Sequence, residues 1–129
     1  MIYVVDTHAL LRYLEDFETL GAEAQSILTA PASRLIVPTI FLAEALFVVA
    51  KHKTDLDWGD ITATIDADGR FAAQPLTVEV LRLTPTSLEM HDGIIVASAL
   101  LLRDSLREDV RVITRDRRIR TSGLVETVW

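Results

Sequence analysis

The chain of 129 residues is 50% apolar and 25% charged, with 5 glycines and 4 prolines; this balance excludes disorder and fibrous repeats and specifies one globular domain over residues 1–129. It has no cysteine, which excludes disulfides, thiolate metal sites and cysteine nucleophiles and fits a chain that works in a reducing cytoplasm. The net charge of −6 argues against a protein that holds nucleic acid by bulk attraction.

Ile2, Tyr3, Val4 and Val5 form a β-rich run that stops at Asp6, as a buried parallel strand would. No basic stretch precedes this run, so a secretory signal is not expected. Asp6 or Thr7 can cap a first helix whose Ala9, Leu10, Leu11 and Leu14 recur at helical spacing before the acidic Glu15, Asp16 and Glu18. A second helix follows Gly21, with Ala24, Ile27 and Leu28 on one face, and ends at Pro31. Leu35–Val37 predicts a second buried strand, with Pro38 in the first position of the next helix. That helix is the most apolar in the chain: from Ile40 to Ala50 only Glu44 is polar.

Residues 51–60 read as a polar connection to a short helix over Ile61–Ala67. Phe71–Leu76 fits neither pattern clearly, and Thr77–Leu83 reads as a short helix. His91, Asp92 and Gly93 precede an apolar run long enough for a buried helix, with Asp92 at its positive end. Arg111–Thr114 is a third strand candidate, and Val125–Trp129 a possible edge strand. This alternation of strands and helices predicts a three-layer α/β/α sandwich around a central, mostly parallel sheet.

Charge is unevenly placed. Residues 1–64 carry 4 basic and 9 acidic side chains, whereas Arg103–Arg120 carry 7 arginines against 4 acids. Arginine is the side chain best shaped to fork onto phosphate oxygens, and Arg115, Arg117, Arg118 and Arg120 are candidates to hold a phosphate-bearing ligand; a solvated helix face explains them as well.

Four carboxylates stand apart by context. Asp6 ends the first strand and Asp116 lies just beyond the third, at the edge where open parallel sheets bind ligands. Asp92 heads an apolar helix and Glu44 sits within one, with no cation at its helical neighbours. A buried carboxylate costs several kcal/mol unless it is paired, protonated or bound to a cation. Taken singly, each acid has an ordinary explanation: a cap, a turn, or a distant arginine. As a set they repel one another and raise one another's pKa unless a hard cation is present. Mg²⁺ or Mn²⁺ suits such a group, because it takes oxygen ligands, keeps several waters and works with substrate phosphates.

At these residues the chain resembles the PIN-domain nucleases, and among them the VapC-type toxins of toxin–antitoxin pairs. The matching segments are VVDTHALLRYL (4–14), PTIFLAEALFVV (38–49), HDGIIVASAL (91–100) and VITRDRRI (112–119). The resemblance implies a PIN-like sandwich, a cluster of acids binding Mg²⁺ or Mn²⁺, and endoribonuclease activity restrained by a cognate antitoxin that covers the site. It further implies a homodimer and a higher toxin–antitoxin assembly. Position by position, Asp6, Glu44 and Asp92 match the metal-binding acids, Asp116 the more variable fourth, and Thr114 the polar residue that orients a ligand or water. Thr7 is also polar beside the first acid, which capping explains as well. Two departures stand out: Thr39 can supply the family's early polar residue only if its helix begins there, and Gly93 replaces a larger residue after the third acid.

His8 and His91 adjoin two acids, but a hard cation prefers oxygen and needs neither. Trp58, Trp129, Phe71 and Tyr13 read as core or rim packing, since 6% aromatic content is too little for a reader of stacked bases. The main rival to a nuclease is a non-catalytic binding module of the same fold, its acids only capping helices. An aspartyl phosphatase using Asp6 is weaker, because the residue two positions on is His8 rather than a second Asp. No membrane association is expected.

Overall fold

In strand β1 (Ile2–Val5) alternate side chains serve different cores: Ile2 and Val4 join one buried cluster, while Val5 joins another with Tyr3 packed against it. A strand buried on both faces needs helices on both, and the rest of the chain supplies them. The structure, a computed structural model, describes residues 1–129. After β1 come α1 (Thr7–Glu15), α2 (Ala22–Thr29), β2 (Arg34–Pro38), α3 (Thr39–Ala50), α4 (Trp58–Ala67), β3 (Phe71–Gln74), α5 (Val78–Arg82), α6 (Met90–Leu106), β4 (Val110–Ile113), α7 (Arg117–Ser122) and β5 (Glu126–Val128), with a 3-10 turn over Phe17–Thr19.

The five strands form one all-parallel sheet in the order β3-β2-β1-β4-β5. Helices α1, α2 and α4 cover one face through Leu10, Leu28 and Ile61, and α6 and α7 cover the other through Ile95, Val96 and Ile119. This is the expected α/β/α sandwich.

Three local features complete or correct the reading of the sequence. Phe71–Gln74 is a strand at the far edge of the sheet, in register with Leu35–Pro38. Its sequence, Phe-Ala-Ala-Gln, has one large apolar side chain, and its place is fixed from outside. Arg70 donates to the carbonyls of Leu28 and Ala30 at 2.8 and 3.0 Å and pairs with Asp68 at 2.8 Å, clamping the chain just before it enters the sheet. Pro38 ends β2 and precedes α3 rather than opening it; its extended backbone serves a strand end equally well. Finally, α3 is not a core helix. Only its Phe41 and Ala45 are buried, and Phe47 is 62% exposed.

Thr39 does begin α3, but its hydroxyl accepts from the Leu76 N–H at 3.2 Å and so ties the helix start to the β3–α5 connection. Gly93 has a packing reason: a Cβ there would lie 2.9 Å from the Pro85 carbonyl oxygen and 3.0 Å from the Thr84 methyl, so the residue is what lets α6 approach that segment.

Candidate active site

From β1 the chain winds outward through β2 to β3, then returns to the other side of β1 for β4 and β5. The reversal opens a crevice between β1 and β4 at their carboxyl ends, the place where doubly wound sheets bind ligands. Asp6 directly follows β1, and Asp116 stands beyond β4 at the head of α7. The first acid is fixed as a helix cap: its Oδ1 accepts from the Ala9 N–H at 2.7 Å, while its own N–H donates to Ile113 across the crevice at 3.3 Å. Asp116 caps α7 in the same way, accepting from Arg118 and Ile119 N–H groups at 2.8 and 3.3 Å.

A pocket of about 340 Å³ fills this crevice, lined by five carboxylates: Asp6, Glu44, Glu89, Asp92 and Asp116. The four acids singled out in the sequence are thus brought together, each by a different element. Asp92 projects from the third residue of α6 and makes no side-chain cap bond; Glu89 occupies the cap position ahead of that helix. Glu89 has no distinguishing pattern in the sequence, standing between Leu88 and Met90 with no strand end or long apolar run to mark it, and only the packing of α6 against α7 brings it to the pocket.

Glu44 is placed differently from expectation. Its side chain is 32% exposed at the pocket rim, not buried in the core, so no distant arginine is required. Its Oε2 accepts from the Thr7 hydroxyl at 2.9 Å, and its Oε1 lies 3.4 Å from His91 Nε2. Thr7 is buried and opens α1, so one residue pair joins the helix after β1 to the helix after β2. The sequence offered Thr7 as a polar residue beside the first acid, or as a cap; no spacing rule links residues 7 and 44. Thr114 has a comparable place: fully buried, it accepts from the Asp116 N–H at 3.0 Å, tying the end of β4 to the head of α7.

The electrostatics follow from this crowding. Burial pushes the Asp6 carboxyl above its ordinary value, opposed by the hydrogen bonds from Thr114 and the Ala9 N–H and by His8, and assisted by the Asp116 charge. Desolvation also raises Asp92, with the charges of Asp116 and Glu89 adding to it and Arg118 and His91 working against it. Both acids would be relieved by a cation. Carboxylate oxygens outnumber the two imidazoles, His8 and His91, among the potential ligands of the pocket, a set that suits a hard divalent ion. No three His, Asp or Glu side chains close on one point that would hold a metal by themselves. Mg²⁺ does not need three, since one or two carboxylates with water and phosphate complete its shell, and the residues present fit it on that basis.

The four candidate arginines separate. Arg115 and Arg118 line the acid pocket; Arg117 and Arg120 line a different one with Thr121 and Thr127. The spacing explains the division: residues three apart share a helix side, and α7 begins at Arg117. His8 and His91 both reach the pocket as well. No helix in the chain is long and apolar enough to cross a membrane.

A family model described as the PIN domain matches residues 3–123. Among solved structures, the chain is similar to VapBC2 from Rickettsia felis, crystallised bound to a DNA fragment from their promoter. The TM-score is 0.66 at 13% identity, over 99% of this chain and 98% of that one. It is also similar to PAE2754 from Pyrobaculum aerophilum, with a TM-score of 0.52 at 19% identity over 99% of this chain and 84% of that one. No curated protein sequence matches the chain.

Proposed function

The chain belongs to the PIN-domain family, and on that premise we propose that it is a metal-dependent endoribonuclease, the cytoplasmic toxin of a toxin–antitoxin pair. PIN domains are generally nucleases, and the VapBC2 likeness supports the toxin–antitoxin setting. The observation that carries the reading is the pocket itself: five carboxylates from four elements converge on the switch-point crevice, and two of them have their pKa raised. Acids that served only as caps would have no reason to share one solvent-filled site. Phe41 and Ile119 are the apolar residues of its lining.

Asp6, Glu44, Asp92 and Asp116 would hold Mg²⁺ or Mn²⁺. When bound, the ion supplies positive charge to draw in an RNA phosphodiester and to acidify water for hydrolysis. The chain's own residues do the rest. Thr114 holds the backbone of Asp116, the Ala9 N–H holds Asp6, Thr7 holds Glu44, and Arg115 and Arg118 supply positive charge at the pocket for the neighbouring backbone. The partners are an RNA substrate, a cognate antitoxin, and a second copy of the chain within a homodimer and higher assembly. The exposed apolar side chains Phe47, Val78, Leu81 and Met90 support protein partners, because a monomer gains nothing by leaving them in water.

The test is cleavage of cellular RNA by purified protein, free of any antitoxin, in Mg²⁺, Mn²⁺ or EDTA, with new ends mapped. Discrete cuts that require metal should fall about 100-fold or more in Asp6→Asn and Asp92→Asn, the scale of losing one preorganised electrostatic group at a reacting centre. Cuts that persist in both variants would refute the assignment. Folded protein that cuts nothing would favour the binding module.

A further inference from the structure

The two arginines of the acid pocket are held in different ways. Arg118 forms an ion pair with Glu89 through Nη1, which engages part of its guanidinium and offsets its charge. Arg115 makes no ion pair and instead lies over the indole of Trp129, 5.8 Å from the ring centre. The ring is itself fixed. Arg12 lies 5.7 Å from the same centre and donates to the Thr19 carbonyl at 3.2 Å. Gly21 admits Trp129: a Cβ there would stand 2.3 Å from the Trp129 carbonyl carbon and 2.6 Å from its Cδ1. Trp129 also packs on the cluster beneath α1 and α2.

Stacking and ion pairing use different parts of a guanidinium. A stacked guanidinium spends its flat face on the ring and keeps its in-plane N–H donors free. A pocket of carboxylates repels a polyanion, so a cation with free donors is the group there best able to draw one in.

We propose that Trp129 is a positioning residue that presents the Arg115 guanidinium at the acid pocket to take a backbone phosphate of RNA. The inference rests on the nuclease reading and adds to it the residue that grips the substrate and the residue that aims it.

The test is binding of a short fluorescein-labelled oligouridylate to the otherwise unaltered chain, followed by anisotropy across a salt series in EDTA, which stops metal-dependent cleavage and so spares the probe. Arg115→Ala should weaken binding about tenfold and lower the salt slope by about one phosphate contact. Trp129→Leu leaves the charge in place and should still weaken binding about threefold, whereas Trp129→Phe restores most of it. The Trp129→Leu/Arg115→Ala double variant should bind no worse than Arg115→Ala alone. In a Trp58→Phe background Trp129 is the sole indole, and the oligonucleotide should shift its emission only when Arg115 is present.

Additive losses, or binding indifferent to Arg115, would overturn the inference while metal-dependent cleavage by the intact chain kept the nuclease reading. Coupling between Trp129 and Arg115 in a chain that cleaves no RNA would do the reverse. A parent that does not bind the oligonucleotide overturns the inference outright.

Discussion

Helices α3 and α6 are both rich in apolar residues, and each carries one acid into the same pocket, Glu44 from α3 and Asp92 from α6. Their surroundings differ. The stretch Gly93–Ala99 of α6 is wholly buried against β1, β4 and α5. In α3, Phe41 belongs to the cluster on one side of the sheet and Ala45 to the cluster on the other, while Leu46 and Phe47 face water. A helix that bridges two layers at their margin cannot bury its whole circumference in either. The apolar surface left over on α3 exceeds what the monomer uses, and it supports the protein-partner half of the proposed function.

The sharpest way to break this contrast is a pair of truncations followed by chemical denaturation. Ile95→Ala, in the wholly buried stretch of α6, should cost about 2–5 kcal/mol through lost burial and a cavity. Phe47→Ala removes a larger side chain, yet should change stability by no more than about 0.5 kcal/mol, because that side chain is already in water. Equal losses would show that α3 is covered in the isolated chain. A loss for Phe47→Ala that grows with protein concentration would show that a second copy covers it.

The same contrast marks what the sequence discloses. Asp6 was legible because a strand of four β-formers ends on it, and strand ends in parallel sheets have one functional edge. Asp116 was legible for the same reason, and Thr114 only through the resemblance to the PIN-domain nucleases. Glu44 was found by its isolation among apolar residues, but that isolation was taken for burial, because a run from Ile40 to Ala50 carries no mark of where the sheet ends. Strand β3 escaped since its Ala72 and Ala73 lack β-character and its position depends on the Arg70 clamp, a contact with residues some forty positions earlier. Glu89, the Thr7–Glu44 bond and the Arg115–Trp129 stack join segments distant in sequence or, like Glu89, lack any pattern. They depend on tertiary packing, which one sequence read alone does not display.

A second test concerns how the α3 acid is held. The Thr7 hydroxyl is the only hydrogen bond donor that the fold offers the Glu44 carboxylate besides the looser His91 contact. Thr7→Val keeps the shape and removes the hydroxyl, and should lower RNA cleavage about tenfold, the value of one charge-assisted hydrogen bond. Thr7→Ser should restore it. On the α6 side no hydroxyl plays this part, so the comparable loss should arise only from changing Asp92 itself. If Thr7→Ser were as poor as Thr7→Val, the methyl group and not the hydroxyl would be the element that matters, and Thr7 would be a packing residue.

The smallest effect expected lies in the pH dependence of stability without metal. Asp6 and Asp92 both have their pKa raised above the ordinary 3.8 in the folded chain, so the native state binds more protons than the unfolded one just above that value. Their contribution is therefore greatest below the ordinary carboxylate pKa and is lost as pH rises through the raised ones; at neutral pH two ionised acids sit where desolvation opposes them. Asp92→Asn removes one such charge without disturbing a cap, and should raise the melting temperature at neutral pH by an amount worth less than about 1 kcal/mol, since this side chain is only partly buried and water screens it. Asp6→Asn should act in the same direction while keeping the cap on α1, because Asn and Asp cap equally well. Added Mg²⁺ should stabilise the parent and lose that effect in both variants, about 2.7 kcal/mol separating free from bound when the ion stands at a hundred times its Kd. A parent that Mg²⁺ leaves unmoved, or variants that melt below it at neutral pH, would mean that the acids are paid for within the fold, as caps are, and that the crowding of carboxylates at the crevice has no ion to relieve it.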